Sequence, residues 1–190
     1  CLLWDRGLAV EVPASAAAVS IPLMRPRSLF AALLLAACPL LRGEDWPEFR
    51  GPTGQGTSTA IGLPTEWSAT KNVAWKVPVP GAGWSSPAIS GGRIFLTTGV
   101  PNASGGVSLR ALALDVASGR ALWETEVFSA TEASVKPVHS KNSPASPTAI
   151  VEGDRVYLHF GHHGTACLDR AGKILWRNHS LRYDPLHGNG

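Results

Sequence analysis

Beyond residue 44, the apolar positions of this chain fall in short runs. The segments Arg93 to Thr98 and Arg155 to Phe160 are rich in β-branched and aromatic side chains, and each follows a turn dipeptide, Gly91-Gly92 or Gly153-Asp154. Such dipeptides tolerate the positive φ angles of a tight hairpin. Because no segment here sustains a 3.6-residue apolar period, the pattern predicts short strands and no long helix.

Two stretches of the chain match when one is slid along the other. Each begins with Ser-Pro, continues through two β-rich runs, and then carries an Asp, a Gly and, four residues later, a Trp. The matched positions are Ser86-Pro87 with Ser146-Pro147, Asp115 with Asp169, Gly119 with Gly172, and Trp123 with Trp176. Trp75 is the corresponding end of a preceding unit. A unit of about 50 residues with four short strands has the size of a propeller blade.

The Asp and Gly of each unit predict a second hairpin turn. The aspartates Asp115 and Asp169 can cap this turn, and Gly119 and Gly172 supply its left-handed residue. The tryptophan then falls on the last strand of the unit. A large planar ring at that position can fill the wedge between one sheet and the next.

The run ALDVASGRALW at residues 113–123 resembles the tryptophan-docking repeat of quinoprotein-type β-propellers, with Ser118 where Thr is usual. DWPEFRGP at residues 45–52 resembles the opening motif of secreted planctomycete-type proteins with pyrroloquinoline quinone (PQQ)-like repeats. AWKVPVPGAGWSSP, HSKNSPASPT, HFGHHGTACLD and YDPLHGNG are similar to that group as well. The resemblance covers residues 45–190. It implies an all-β fold, a partial β-propeller with about two to three of the usual seven or eight blades.

The composition, with 44% hydrophobic and 16% charged residues, is that of a globular chain. The net charge of +3 comes mostly from arginines within the first 43 residues, and beyond them positive and negative side chains are interspersed. That distribution is typical of a solvated surface, so we expect no nucleic-acid partner.

Residues 24–43 have the pattern of an export signal. Met24 is followed by two arginines and then by an apolar run from Leu29 to Cys38. This run is too short to span a bilayer as a stable helix. The stretch Leu35-Ala36-Ala37-Cys38 also resembles a lipobox, in which Cys38 would be lipidated. Cleavage near Gly43 is the alternative. Either route predicts export to the periplasm or cell envelope.

The remaining boundaries follow from that signal. Residues 1–23 begin with Cys1 and precede Met24, so we interpret them as sequence upstream of the true start. Residues 44–190 are then expected to be the N-terminal part of a PQQ-like β-propeller, truncated at its C-terminus and without a transmembrane helix. Cys167, the one thiol of this part, has no disulfide partner in it.

All six histidines lie between His139 and His187. Imidazole is a common metal ligand and proton carrier, but no acid or cysteine stands at a recognised metal spacing. Structural or solvent-facing roles are therefore one interpretation. The other is a site on loops that lead toward the central channel of a propeller, with candidates His139, Asn142, His162 and His163.

The resemblance leaves three functions open. The first is a non-catalytic exported module that binds a protein or polysaccharide at its propeller face. The second is a PQQ- or metal-dependent oxidoreductase, but quinoprotein dehydrogenases typically carry an adjacent cysteine pair, which this chain lacks. PQQ with calcium is implied by the resemblance alone, and no catalytic residue is assigned. The third is a scaffold resembling the lipoprotein of the outer-membrane barrel assembly machinery, anchored through Cys38.

Overall fold

The computed structural model describes residues 9–11, 43–134 and 139–180. The predicted signal segment, with Cys38, therefore lies outside the described residues except for Gly43. Strand β1 (Ala9–Glu11) pairs antiparallel with strand β2 (Lys76–Pro78). β2 directly follows Trp75, the residue assigned above to the end of a preceding unit.

The first four-stranded sheet contains β3 (Ala88–Ser90), β4 (Arg93–Pro101), β5 (Val107–Asp115) and β6 (Ala121–Ala130). The strands are antiparallel and neighbour one another in chain order. β4 extends to Pro101, three residues beyond the segment predicted from its composition. Because its strands neighbour one another in chain order, the sheet is a meander, as expected for strands joined by short turns.

The second sheet repeats this arrangement with β7 (Ile150–Glu152), β8 (Arg155–His159), β9 (Thr165–Asp169) and β10 (Ile174–Asn178). Within the described ranges the helical elements are two single 3₁₀ turns, Glu132–Ser134 and Gly161–His163. The all-β prediction is therefore confirmed, and the two sheets coincide with the two units of the internal repeat.

The main hydrophobic core lies between the two sheets. β4 and β5 contribute Phe95 and Leu109, while β8 and β9 contribute Val156 and Leu168. The opposite face of the first sheet is covered by the segment around Val79, which packs on Ile94, Leu96, Leu112 and Leu114. The first sheet is thus buried on both faces, and its central strands are buried at nearly every position rather than at alternate ones.

Because consecutive strands are antiparallel, their connections alternate between the two ends of the strands. We use the word edge for each of these two ends, where the loops lie, and not for the outermost strands. We call edge A the edge that carries residues 91–92, 116–120, 153–154 and 170–173. Edge B carries residues 102–106, 160–164 and the described parts of the connection 131–149. The predicted repeat turns lie at edge A, and the four candidate site residues lie at edge B.

Candidate functional site

The Asp–Gly turn of the first sheet holds a tryptophan from the preceding segment. Asp115 Oδ1 accepts hydrogen bonds from the Ser118 hydroxyl at 2.6 Å and the Ser118 backbone N–H at 2.9 Å, and these lower the pKa of the carboxyl group. Gly119 has a φ of 70°. A Cβ there would lie 2.5 Å from Cε3 of Trp75, whose Nε1 donates to the carbonyl of Val116 at 2.8 Å.

The turn of the second sheet holds Trp123 in the same way. Asp169 Oδ1 accepts from two backbone N–H groups of its own turn, both at 2.9 Å. Gly172 has a φ of 87°, and a Cβ on it would lie 2.6 Å from Cδ2 of Trp123. Trp123 Nε1 donates to the carbonyl of Arg170 at 2.9 Å. Each sheet is therefore joined to the segment before it by one indole ring over one glycine.

Arg170 links the two sheets at edge A. Its guanidinium donates to the carbonyl of Ser90 at 2.6 Å and to the carbonyl of Gly153 at 3.0 Å. The same group lies 5.7 Å from the ring centroid of Phe95, a cation–π distance. Arg93 donates back to the Arg170 carbonyl. The alignment of the two repeats gave no sign of this role for Arg170, because the first repeat has Val116 at the matching position.

A strap formed by residues 45–47 crosses the inner strands of both sheets. The Asp45 carboxylate accepts from the Ser90 hydroxyl at 3.0 Å and from the Gly91 N–H at 3.1 Å. Trp46 exchanges two backbone hydrogen bonds with Ile89 on β3. The carbonyl of Pro47 accepts from the N–H of Val151 on β7 at 2.8 Å. The opening motif therefore connects the two sheets.

Two of the predicted site residues make local contacts at edge B. His139 Nδ1 accepts from the Lys141 N–H at 3.1 Å, and the His139 carbonyl accepts from the Asn142 N–H at 2.8 Å. These bonds shape the loop itself. His139 is exposed and Asn142 is partly buried.

The other two candidates, His162 and His163, lie together with His179, which the sequence did not indicate as a site residue. The rings of His162 and His163 lie 3.9 Å apart between centroids. His162 Nε2 donates to the carbonyl of Ser134 at 3.3 Å, and His179 Nδ1 donates to the carbonyl of His163 at 3.2 Å. Burial, with repulsion from His162, lowers the pKa of His163 to about 4. His163 is therefore neutral at neutral pH.

An open cleft of about 350 Å³ lies beside these histidines, at the outer strands of the two sheets. Arg177 crosses it and donates from Nε to the carbonyl of Val127 at 2.6 Å. The His179 ring packs edge-on against Phe128 with 4.9 Å between centroids. The residues that line the cleft are Glu126, Val127, Phe128, Ser129, His163, Arg177 and His179. These lining residues meet only in the folded protein, because β6 and β10, which carry most of them, are distant in the chain.

A metal or a calcium–quinone centre requires a cluster of ligating side chains. In residues 43–134 and 139–180, no group of three or more His, Cys, Asp or Glu side chains is placed to hold a metal ion. Cys167 is buried, and burial raises the pKa of its thiol. The described residues do not fit such a centre, and we derive no chemistry through one.

The two four-stranded meanders, each joined to the segment before it by a tryptophan, define a partial β-propeller. Residues 57–185 match the model of a PQQ-like repeat family described as outer membrane protein assembly factor BamB, and the chain belongs to this family. The predictions of a partial β-propeller and of PQQ-like repeats are therefore confirmed.

The crystal structure of BamB from Moraxella catarrhalis is similar to this chain with 21% sequence identity and a TM-score of 0.36. The match covers 58% of this chain and 29% of that chain, so the chain spans less than a third of that relative. No curated protein sequence matches the chain. No helix in the part of the chain that the structure describes is long and apolar enough to cross a membrane.

Proposed function

We propose that this protein is an exported, non-catalytic β-propeller scaffold that binds a protein partner at the cell envelope. The family match over residues 57–185 is the observation that supports this most strongly, because that family is described by an outer membrane assembly factor. The export-signal pattern of residues 24–43 agrees with an envelope location.

The geometry favours edge B as the surface that meets the partner. Its loops are carried by strands that are buried against one another, and loops on a rigid scaffold commonly carry binding residues. Edge A is used internally, since its turns hold Trp75, Trp123 and the Arg170 guanidinium. His139 and Lys141 are exposed at edge B and available for contact.

Export and anchoring are tested on cells that produce the tagged chain. We expect the protein in the envelope fraction, with mass spectrometry giving a mature N-terminus either at a lipidated Cys38 or near Gly43. Cys38→Ser is the matched variant: it releases a lipid-anchored protein into the soluble envelope fraction and leaves an unanchored one unchanged. A chain retained in the cytoplasm with residues 24–43 intact would contradict the proposal.

Partner binding is tested with a photo-crosslinking residue introduced at Ser104 or Lys141 on edge B and, as controls, at Ala117 or Lys173 on edge A. We expect a crosslink from edge B to an outer-membrane assembly protein that purifies with the chain under mild extraction. Crosslinking from edge A alone, or to polysaccharide alone, would contradict a protein scaffold that uses edge B. The oxidoreductase alternative stays a prediction, and PQQ with calcium is the reagent that would test it.

A further inference from the structure

The cleft at the outer strands contains a guanidinium that main-chain carbonyls hold in place. Arg177 donates from Nε to the carbonyl of Val127 at 2.6 Å and from Nη2 to the carbonyl of Glu126 at 3.4 Å. A guanidinium has five N–H donors in a rigid fork. The carbonyls of β6 accept from two of them, and within the described residues the other three have no acceptor. Arg177 is exposed, so solvent or a ligand can reach these donors.

The carboxylate of the cleft residue Glu126 is directed away from this guanidinium. Glu126 pairs with Arg110 on β5, whereas the preceding residue, Leu109, faces the core between the sheets. Successive residues of a strand point to opposite faces, so Arg110 and Glu126 point away from the second sheet. The Glu126 carboxylate accordingly accepts from the Ser108 hydroxyl, which itself accepts from Arg110. In the described ranges, Arg177 makes no ion pair.

The remaining lining leaves the positive charge of the cleft unbalanced. His163 is neutral at neutral pH, and His179 Nδ1 is bonded to the His163 carbonyl. Val127 and Phe128 are buried apolar residues and carry no charge. A carboxylate can accept two parallel N–H groups of one guanidinium at once. The cleft therefore matches a carboxylate in both charge and donor geometry.

We propose that this cleft binds an acidic side chain on an extended segment of the partner protein, with the free N–H groups of Arg177 donating to the carboxylate. The inference deepens the proposed function and rests on it for the identity of the partner. The cleft lies near edge B, since it includes His163 in the β8–β9 turn and the last strand residues of β6. A small free anion would stay hydrated in an open cleft, whereas the chain that carries a peptide carboxylate also contacts the loops around it.

The test titrates the purified full chain with a fluorescein-labelled peptide, Gly-Ser-Glu-Gly-Glu-Ser-Gly, and with the same peptide carrying glutamine for glutamate. We expect Arg177→Met to weaken binding of the glutamate peptide about fivefold or more, and Arg177→Lys, which keeps the charge but not the fork, about threefold. Arg120→Met is the matched control, because Arg120 is an exposed arginine beside Asp115 at edge A. It should change the affinity by less than about twofold.

NMR titration of the unchanged chain makes the result independent of how well the variants fold. The glutamate peptide should shift the Arg177 Nε–H and the Ser129 amide and leave the Arg120 Nε–H in place. The proposal is overturned if the glutamine peptide binds equally well, or if Arg177→Met and Arg120→Met have equal effects. It is also overturned if inorganic phosphate at the same concentration displaces the peptide, since a free anion would then be the occupant.

The crosslinking experiment at edge B separates this inference from the proposed function. If an envelope protein is crosslinked and Arg177→Met leaves the yield unchanged, the carboxylate site is wrong while the scaffold function stands. If the glutamate peptide binds through Arg177 and no envelope protein is crosslinked, the carboxylate site is supported and the proposed function is contradicted.

Discussion

At the residue scale, the tightest constraints fall on the two glycines that lie under indole rings. Gly119 and Gly172 combine positive φ angles of 70° and 87° with almost no space at the Cβ position. A side chain would meet both an unfavourable backbone conformation and a steric clash with Trp75 or Trp123. The conformational requirement was visible in the turn pattern of the sequence. The clash was not, because each ring comes from a segment that is distant in the chain.

Gly172→Ala tests the second of these constraints, with Gly92→Ala as its matched control. Gly92 has a φ of 76° and nothing within 4 Å of its Cβ position. Chemical denaturation should show a loss of about 1 kcal/mol for Gly92→Ala from backbone strain, and about 2–4 kcal/mol for Gly172→Ala because Trp123 must also move. Equal losses would mean that the indole does not constrain this turn.

His163 is expected to make the free energy of unfolding depend on pH. Burial and His162 hold its pKa at about 4, below the ordinary 6.5. Between those values the unfolded chain binds a proton that the folded chain does not. The contribution of His163 is therefore complete above pH 6.5 and decreases as the pH falls toward 4. Solvent screening of the half-buried ring limits the expected loss to about 1–2 kcal/mol.

Denaturation at a series of pH values measures this loss, and NMR titration of the ring measures the pKa itself. His163→Gln should flatten the part of the profile between pH 6.5 and 4 that belongs to this group. His162→Gln should raise the pKa of His163 by removing the repulsion. A ring that titrates near 6.5 in the folded protein would show that His163 is not buried as described.

At the scale of elements, several hydrogen bonds between the two sheets involve a single β-turn in addition to the hydrophobic core that the sheets share. The turn between β9 and β10 supplies the glycine under Trp123 and the Arg170 side chain that reaches the β3–β4 turn. Thr125 on β6 also donates to the carbonyl of Gly172 at 2.8 Å. One short turn therefore adds a cluster of polar contacts to the apolar packing between the sheets.

Arg170→Met tests that role. Methionine keeps an apolar stem but loses the guanidinium donors to Ser90 and Gly153, so we expect a loss of about 2–4 kcal/mol in the free energy of unfolding. Lys173→Met is the control, since Lys173 is an exposed cation on the same turn, and it should change stability by less than about 0.5 kcal/mol. Similar losses in both variants would argue against a specific contribution of Arg170.

At the scale of the whole molecule, the strap at residues 45–47 lies against inner strands of both sheets. Its hydrogen bonds reach Ile89 on β3 and Val151 on β7. The segment around Val79 covers the far face of the first sheet. Residues that precede the repeats thus cover one side of the described structure, while Trp176 on β10 is 45% exposed.

Asp45→Ala tests the strap. The variant loses the acceptor for the Gly91 N–H and the Ser90 hydroxyl, and we expect a loss of about 1 kcal/mol. Hydrogen exchange at the Val151 N–H should become faster, because its acceptor Pro47 belongs to the same strap. Glu48→Ala is the control and should leave that exchange rate unchanged. Unchanged exchange in both variants would contradict a linked strap.

The sequence by itself determined the strands, the hairpin turns and the register of the repeat. These features depend on local backbone preferences, such as the β-branched run of β4 and the left-handed Gly119, and such preferences act between residues close in the chain. The positions of Trp123 and Trp176 could be predicted because each lies four residues after the glycine of its turn. The candidate histidines were assigned to loops, and His162 and His163 do lie in one.

Only the tertiary structure decided which residues meet across the sheets. Arg170 binds Ser90 from 80 residues away, and Asp45 binds Gly91 from 46 residues away. The His179 ring, just beyond β10, packs against Phe128 on β6 of the other sheet. No local pattern encodes these contacts, since each joins segments that are distant in the chain and meet only when the whole structure packs.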